Sequence, residues 1–121
     1  IKALQKVNRY NQRELDRVEK EFKRTMTYTN AIFGKYAFRK YNLEWRRGPI
    51  NKAIFELWVI CFKDMTDANL NELVNGASGF LRKFQELLQN ADFVTALKAG
   101  DIYSLYRRVE MTKAMIKEFL C

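Results

Sequence analysis

The sequence predicts a single all-α domain, an irregular bundle of five or six helices with a long N-terminal helix. Its 121 residues include only five Gly and one Pro, so few positions interrupt a helix. Apolar residues recur at steps of three and four, and no segment alternates apolar and polar residues as a half-buried strand does. A hydrophobic content of 48% is enough for a core and argues against disorder.

Residues 1–33 are predicted to form one helix. A stripe of mostly apolar residues runs along it, at Leu4, Val7, Asn11, Leu15, Val18, Phe22, Met26, Thr29 and Phe33. A stripe of about eight turns is long for a small domain. We therefore expect its N-terminal part to be either a connector or an oligomer contact, and Gly34 to end the helix.

Residues 35–49 are predicted to form a basic aromatic loop with a short helical turn at Tyr36–Lys40. In this run, KYAFRKYNLEWRRGP, aromatic residues alternate with basic ones. Because Gly48 and Pro49 disfavour a continuous helix, a new helix is expected to begin at Ile50.

Residues 50–120 are predicted to form the helical core. The helix over 50–63 is apolar around most of its circumference, so it is expected to lie at the centre of the bundle. Thr66 or Asp67 is expected to cap the helix that follows, because their side-chain oxygens can accept hydrogen bonds from its first N–H groups.

The rest of the core is divided by local break signals. Gly76 and Gly79 predict either a break in the third helix or the close approach of another backbone. Asn90–Asp92 is expected to end that region and to cap a short helix at Phe93–Lys98. Asp101 is expected to cap the last helix.

The surplus positive charge lies in the first half of the chain. Residues 1–60 contain 14 Lys and Arg against 6 Asp and Glu, a net charge of +8, whereas residues 61–121 contain 8 of each. Within 35–52 six basic residues face Glu44 alone, a net charge of +5. Such a patch attracts partners that carry phosphates, or it is a solvated surface or a face turned toward an acidic partner domain.

The same segment contains the best candidate for an anion site. If a helix begins at Ile50, its first-turn N–H groups favour an anion, and arginines next to them can bind phosphate through two hydrogen bonds. The candidate nucleic-acid-binding residues are Arg39, Lys40, Arg46, Arg47, Asn51 and Lys52. Alternatively, the arginines pair with carboxylates such as Glu44 or Glu56 and hold the loop in place.

Aromatic residues accompany these basic residues. Tyr36, Phe38, Tyr41 and Trp45 could stack on nucleobases, or they could pack the loop onto the bundle. The pairs Arg82-Lys83 and Arg107-Arg108 are expected to lie on ordinary exposed helix faces.

The composition excludes most catalytic chemistry. The chain has no His, which removes His-based nucleophile systems and most zinc sites. Its two Cys are too far apart in sequence for a thiolate metal site, and Gly76-Ala77-Ser78-Gly79 lacks the Lys-Ser/Thr ending of a P-loop. Carboxylates remain: Glu44, Glu56, Asp64 and Asp67 could pair for acid/base or Mg²⁺ chemistry, but they are expected to be solvated or to cap helices. We therefore expect no catalytic residue, no metal site and no cofactor, and we predict that the chain is not an enzyme.

The cellular setting is predicted from cysteine use and hydropathy. Cys61 lies in an apolar run and is expected to be a buried small hydrophobe, and Cys121 is expected to be exposed. Two unpaired cysteines suit a reducing, cytoplasmic location, and no run of about 18 apolar residues predicts a membrane helix. Because the sequence starts at Ile1 without a signal peptide, we expect a fragment of a larger protein.

Several runs of this sequence resemble a known bacterial family. They lie at Phe33–Gly34, Ala37–Lys40 and Arg47–Glu56, with looser agreement at Phe80–Phe93 and Tyr106–Val109. They resemble the helical C-terminal region of large proteins with a ParB-like nuclease/NTPase domain that carries a DGQQR motif. That family is related to the first half of the GmrSD modification-dependent restriction enzymes.

The resemblance covers residues 20–118 and is most specific over 37–56. It implies a helical accessory region that packs on an N-terminal nuclease/NTPase domain of the same parent chain and helps to grip DNA. No DGQQR residues occur here, so no catalytic position carries over, and the chain has no His for the HNH domain often found beyond this region.

Two functional hypotheses result. In the first, the chain is a non-catalytic helical accessory domain of a bacterial DNA-targeting restriction or phage-defence protein, and its basic residues contact nucleic-acid phosphates. In the second, it is a protein-protein interaction or oligomerisation module that has no nucleic-acid role, and its first helix either forms a homo-oligomer or docks to an acidic partner.

Overall fold

A computed structural model describes the backbone of residues 2–120 and the side chains of residues 12–120. The described chain contains six α-helices, one 3-10 turn and a two-stranded antiparallel sheet. The predicted all-α bundle with a long N-terminal helix is therefore confirmed. The expectations for the side chains of Leu4, Val7, Asn11 and Cys121 lie outside the described residues.

Helix α1 (Lys2–Phe33) packs on the bundle through its C-terminal part. Every described side chain from Gln12 to Lys20 is exposed, whereas Thr25 and Thr29 are buried. The helix ends at Gly34, as predicted, because this residue has a φ of 55° in the left-handed region that glycine tolerates best. A 3-10 turn at Gly34–Tyr36 follows.

Residues 35–49 do not form the predicted loop with a helical turn at Tyr36–Lys40; that prediction is wrong. Strands β1 (Arg39–Tyr41) and β2 (Arg47–Ile50) pair as an antiparallel hairpin. Its turn is organised by Asn42, whose side-chain oxygen accepts hydrogen bonds from the N–H groups of Glu44 and Arg46, both at 2.9 Å. Trp45 closes the turn with a φ of 63°.

Helix α2 (Lys52–Lys63) begins two residues after the predicted Ile50. Ile50 pairs with Arg39 in the hairpin, and Asn51 becomes the cap because its side chain accepts the Ile54 N–H at 3.1 Å. The helix lies at the centre, as predicted, with Trp58 fully buried among aromatic rings. The ring centroids nearest to that of Trp58 belong to Phe84 at 4.9 Å, Phe33 at 5.1 Å and Phe62 at 5.2 Å.

Helices α3 (Asp67–Asn75) and α4 (Ala77–Leu87) are separated at Gly76, so the predicted break is confirmed. Thr66 caps α3 by accepting the Asn69 N–H at 3.1 Å. The glycine also allows a close approach, but a side chain rather than a backbone makes it. A Cβ on Gly76 would lie 2.9 Å from the ring of Phe119, so no larger residue fits without movement of that ring.

The last two helices are capped where the sequence predicts. Asn90 caps α5 (Ala91–Lys98) by accepting the Phe93 N–H, and the Asp101 carboxylate accepts the Ser104 N–H at the start of α6 (Ile102–Leu120). Over residues 2–120, no helix combines the length and the apolar composition that a membrane-spanning helix needs.

Candidate phosphate-binding site

A pocket of about 310 Å³ lies between the hairpin, the end of α4 and helix α5, and we call it the hairpin pocket. Its lining residues are Lys40, Tyr41, Asn42, Arg46, Gly48, Leu88, Gln89, Val94 and Lys98. Three of them are cations: Lys40 of β1, Arg46 beside the turn and Lys98 at the end of α5. The sequence predicts the first two as phosphate ligands, whereas Lys98 is not among the predicted residues.

Two hydrogen bonds fasten the hairpin to α4 and so fix one wall of the pocket. The buried Tyr41 hydroxyl donates to the Leu81 carbonyl, and the buried Gln85 amide donates to the Asn42 carbonyl at 2.8 Å. Burial raises the pKa of Tyr41 far above its usual value, so the phenol stays protonated and remains a donor.

Replacing Tyr41 by Phe is expected to lower the free energy of unfolding by about 1 kcal/mol. The substitution keeps the buried ring and removes only the hydroxyl that bonds to Leu81. Urea denaturation followed by circular dichroism measures the change. The matched control is Tyr106→Phe, at an exposed tyrosine of α6, with an expected change below about 0.5 kcal/mol. Equal losses in the two variants would contradict the tethering role of Tyr41.

Arg39 and Arg47 hold the hairpin together. The Arg39 guanidinium donates to the Gly48 carbonyl across the sheet at 2.8 Å, and the Arg47 guanidinium donates to the Lys35 carbonyl at 3.0 Å. The alternative in which arginines fix this segment therefore applies to both, although their partners are backbone carbonyls and not the carboxylates considered from the sequence.

Arg46 is the most available arginine of the segment. Its Nε lies 3.8 Å from a carboxylate oxygen of Glu44, and its side chain is 82% exposed. An ion pair that is this exposed to solvent, with its charged atoms this far apart, is weak because water screens both charges. Arg46 can therefore exchange Glu44 for another anion at little cost.

Asn51 and Lys52 lie away from the hairpin pocket. The side chain of Asn51 is occupied by capping α2, and its N–H donates to the Phe38 carbonyl at 2.7 Å. Lys52 is exposed, and its Nζ lies 3.9 Å from Glu56. The structure thus divides the six predicted residues: it brings Lys40 and Arg46 together, and it gives Arg39, Arg47 and Asn51 contacts that hold the fold.

The aromatic residues of the segment mostly pack it onto the bundle. Phe38 and Tyr41 are buried, and the Phe38 ring lies 5.1 Å from that of Phe55 in α2. Trp45 is the most exposed, at 38%, and it stacks on Tyr41 at 5.5 Å with an interplanar angle of 12°. Packing therefore explains these rings better than nucleobase stacking does.

Arg108 corrects a sequence-based expectation. Arg107 is exposed and lies 3.5 Å from Asp92, as expected, but Arg108 is buried. Its guanidinium donates to the carbonyls of Ala96 and Ala99, both at 3.0 Å. These carbonyls lie at the C-terminal end of α5, where no helical N–H follows to bond them. Arg108 therefore holds the helix that carries Lys98 into the pocket.

The residues that line the hairpin pocket include no Cys, Asp or Glu. Cys61 is buried, as predicted, and burial raises the pKa of its thiol to about 12, so it is not a thiolate at neutral pH. Among residues 12–120, no three Cys, Asp or Glu side chains converge in a way that could hold a metal ion. What the pocket provides is a set of cations suited to holding an anion.

Comparison of the chain with protein-family models, with curated proteins and with solved structures finds no match.

Proposed function

We propose that this chain is a non-catalytic helical accessory domain that contacts nucleic-acid phosphates through the hairpin pocket. The single observation that supports the proposal is that Lys40 and Arg46 of the hairpin and Lys98 of α5 line the same pocket. The resemblance over residues 37–56 supports the wider setting, a bacterial DNA-targeting restriction or phage-defence protein whose nuclease/NTPase domain lies elsewhere in the parent chain.

The chemistry of the pocket suits a phosphate group. A guanidinium can donate two parallel hydrogen bonds to a phosphate, and an ammonium contributes a compact positive charge. Lys35 and Arg47 belong to the same basic segment, and both are exposed. Contacts of this kind position a domain on nucleic acid without reading its bases, so the expected binding is independent of sequence.

Binding of a 20-base-pair duplex should be weak and strongly dependent on salt. Three phosphate contacts correspond to a slope of about −3 when the logarithm of the binding constant is plotted against that of the salt concentration. Fluorescence anisotropy with a labelled duplex at several salt concentrations measures this slope. A slope near zero would contradict phosphate contact.

The double variant Arg46→Glu/Lys98→Glu is expected to weaken duplex binding at least tenfold and to reduce the slope to about −1, because one cation of the pocket remains. The matched control is Lys113→Glu/Lys117→Glu, which makes the same charge change at exposed positions of α6. The control should weaken binding less than about threefold. Equal effects in both variants would mean that net charge, and not the hairpin pocket, attracts the duplex.

A second candidate function is supported by a different observation. In the described part of α1, the apolar side chains of Leu15, Val18 and Phe22 are 60%, 54% and 44% exposed. Apolar residues at helical spacing share one face of a helix, and a contiguous apolar face that is open to water is typical of a protein contact. In this second function the chain is a protein-protein interaction module, and nucleic acid has no part in it.

A further inference from the structure

The apolar side of α1 is defined by Leu15, Val18 and Phe22, and we call it the α1 apolar surface. These residues are spaced by three and four, so they lie on one face of the helix. Because Phe22 also lines an apolar pocket of about 420 Å³, the surface continues into that pocket. The other lining residues are Met26, Phe38, Ile50, Lys52 and Phe55. A helix laid along α1 would therefore bury both the exposed face and the pocket.

Three of the four residues that flank the α1 apolar surface over 12–22 are acidic, and the fourth is Gln12. When Leu15 and Phe22 are assigned to heptad position a and Val18 to position d, Glu14 and Glu21 fall at g. Glu19 falls at e. The basic residues of this stretch lie on the opposite side of the helix, at Arg13, Arg17 and Lys20. The flanks of this surface are therefore negatively charged although the chain has a net charge of +8.

Acidic flanks oppose pairing with a second copy of this chain. In a parallel pair of helices, position g of one helix faces position e of the other, and in an antiparallel pair g faces g and e faces e. In a parallel pair Glu14 of one copy would face Glu19 of the other, and in an antiparallel pair the glutamates at g would face each other. Like charges at these positions disfavour the pair, so this surface favours a different partner.

We propose that the α1 apolar surface binds an amphipathic helix of another polypeptide segment, one with an apolar stripe flanked by Lys and Arg. The proposal rests on the second candidate function and is independent of the hairpin pocket. The carboxylates are available to such a partner. Glu14 lies 2.7 Å from Arg17 and Glu19 lies 3.1 Å from Lys23, but all four side chains are exposed, and exposed ion pairs are exchanged at little cost.

Two synthetic peptides of three heptads test the proposal. Both have Leu at a and d; one has Lys at e and g, and the other has Glu at these positions. Fluorescence anisotropy of each labelled peptide with the 121-residue chain is expected to show at least tenfold tighter binding of the basic peptide. Because the whole chain is positively charged, long-range attraction favours the acidic peptide, so a preference for the basic one must arise from local contacts.

Variants at exposed positions assign the contact. Val18→Asp should weaken binding of the basic peptide at least tenfold, whereas Ile102→Asp, at an exposed apolar residue of α6, should leave it unchanged. The triple variant Glu14→Lys/Glu19→Lys/Glu21→Lys should reverse the preference between the peptides. Circular dichroism of each variant checks that the fold is kept.

Three results would overturn the proposal. They are failure of both peptides to bind, equal or stronger binding of the acidic peptide, and a dimer in sedimentation that Val18→Asp dissociates. The last result would mean that the α1 apolar surface binds a second copy of this chain. The two proposed functions are tested separately, because Val18→Asp should leave duplex DNA binding unchanged and Arg46→Glu/Lys98→Glu should leave peptide binding unchanged.

Discussion

Replacing Trp58 by Ala is expected to lower the free energy of unfolding by about 3–5 kcal/mol, the range found when a large buried aromatic side chain is removed. Trp58 is fully buried, and its ring packs against rings from α1, α2 and α4. The loss combines the transfer of apolar surface to water with a cavity that the surrounding rings can fill only in part.

The second tryptophan of the chain provides the control. Trp45→Ala should cost about 1 kcal/mol, because Trp45 is partly exposed and its main contact is the stack on Tyr41. Urea denaturation followed by far-ultraviolet circular dichroism compares the two variants without relying on tryptophan fluorescence. Similar losses at the two positions would contradict the central place of α2 in the bundle.

Replacing Arg108 by Ala is expected to lower the free energy of unfolding by about 3 kcal/mol. The variant removes the donor to the Ala96 and Ala99 carbonyls, and it removes a buried cation whose Nη2 lies 4.0 Å from Glu56. Both losses occur where water has poor access, so solvent cannot replace the missing hydrogen bonds fully.

The adjacent Arg107 is the matched control for this prediction. Arg107→Ala removes the same charge from an exposed side chain, and it should change the free energy of unfolding by less than about 0.5 kcal/mol. The Arg108 variant should also bind duplex DNA more weakly than the Arg107 variant, because the end of α5 carries Lys98. If the two variants were equally stable, Arg108 would not have the structural role assigned to it.

The helices could be predicted from local sequence because their signals are local. Thr66, Asn90 and Asp101 cap helices through hydrogen bonds that span three residues, and Gly34 and Gly76 interrupt them at the expected positions. These interactions depend only on neighbours in the chain, which a sequence displays directly.

The hairpin could not be predicted in the same way. Its strands are only three and four residues long, too short for the alternation that identifies a half-buried strand. Its stability depends on Tyr41 and Gln85, which connect it to α4 about 40 residues along the chain. Contacts at that separation leave no local pattern, so the segment resembles a loop when its sequence is considered alone.

The candidate site was predictable only in part, because packing between distant parts of the chain completes it. The density of basic residues in 35–52 indicated Lys40 and Arg46, but Lys98 is brought to them only by the packing of α5. Arg108 had a signal that could have identified it. It lies three residues after Leu105 and four before Thr112, so it falls on the buried face of α6.

The most direct test of phosphate binding at the hairpin pocket is a titration of the isotope-labelled chain with duplex DNA at low salt, followed by the chemical shifts of its backbone amides. The proposal predicts that the largest changes in chemical shift occur at residues 39–50 and 94–98, which form the pocket, and that the chemical shifts of residues 113–117 of α6 do not change. Three results would contradict it: changes in chemical shift that are largest at residues 12–22 of α1, changes that are spread evenly over the chain, or no changes at saturating DNA.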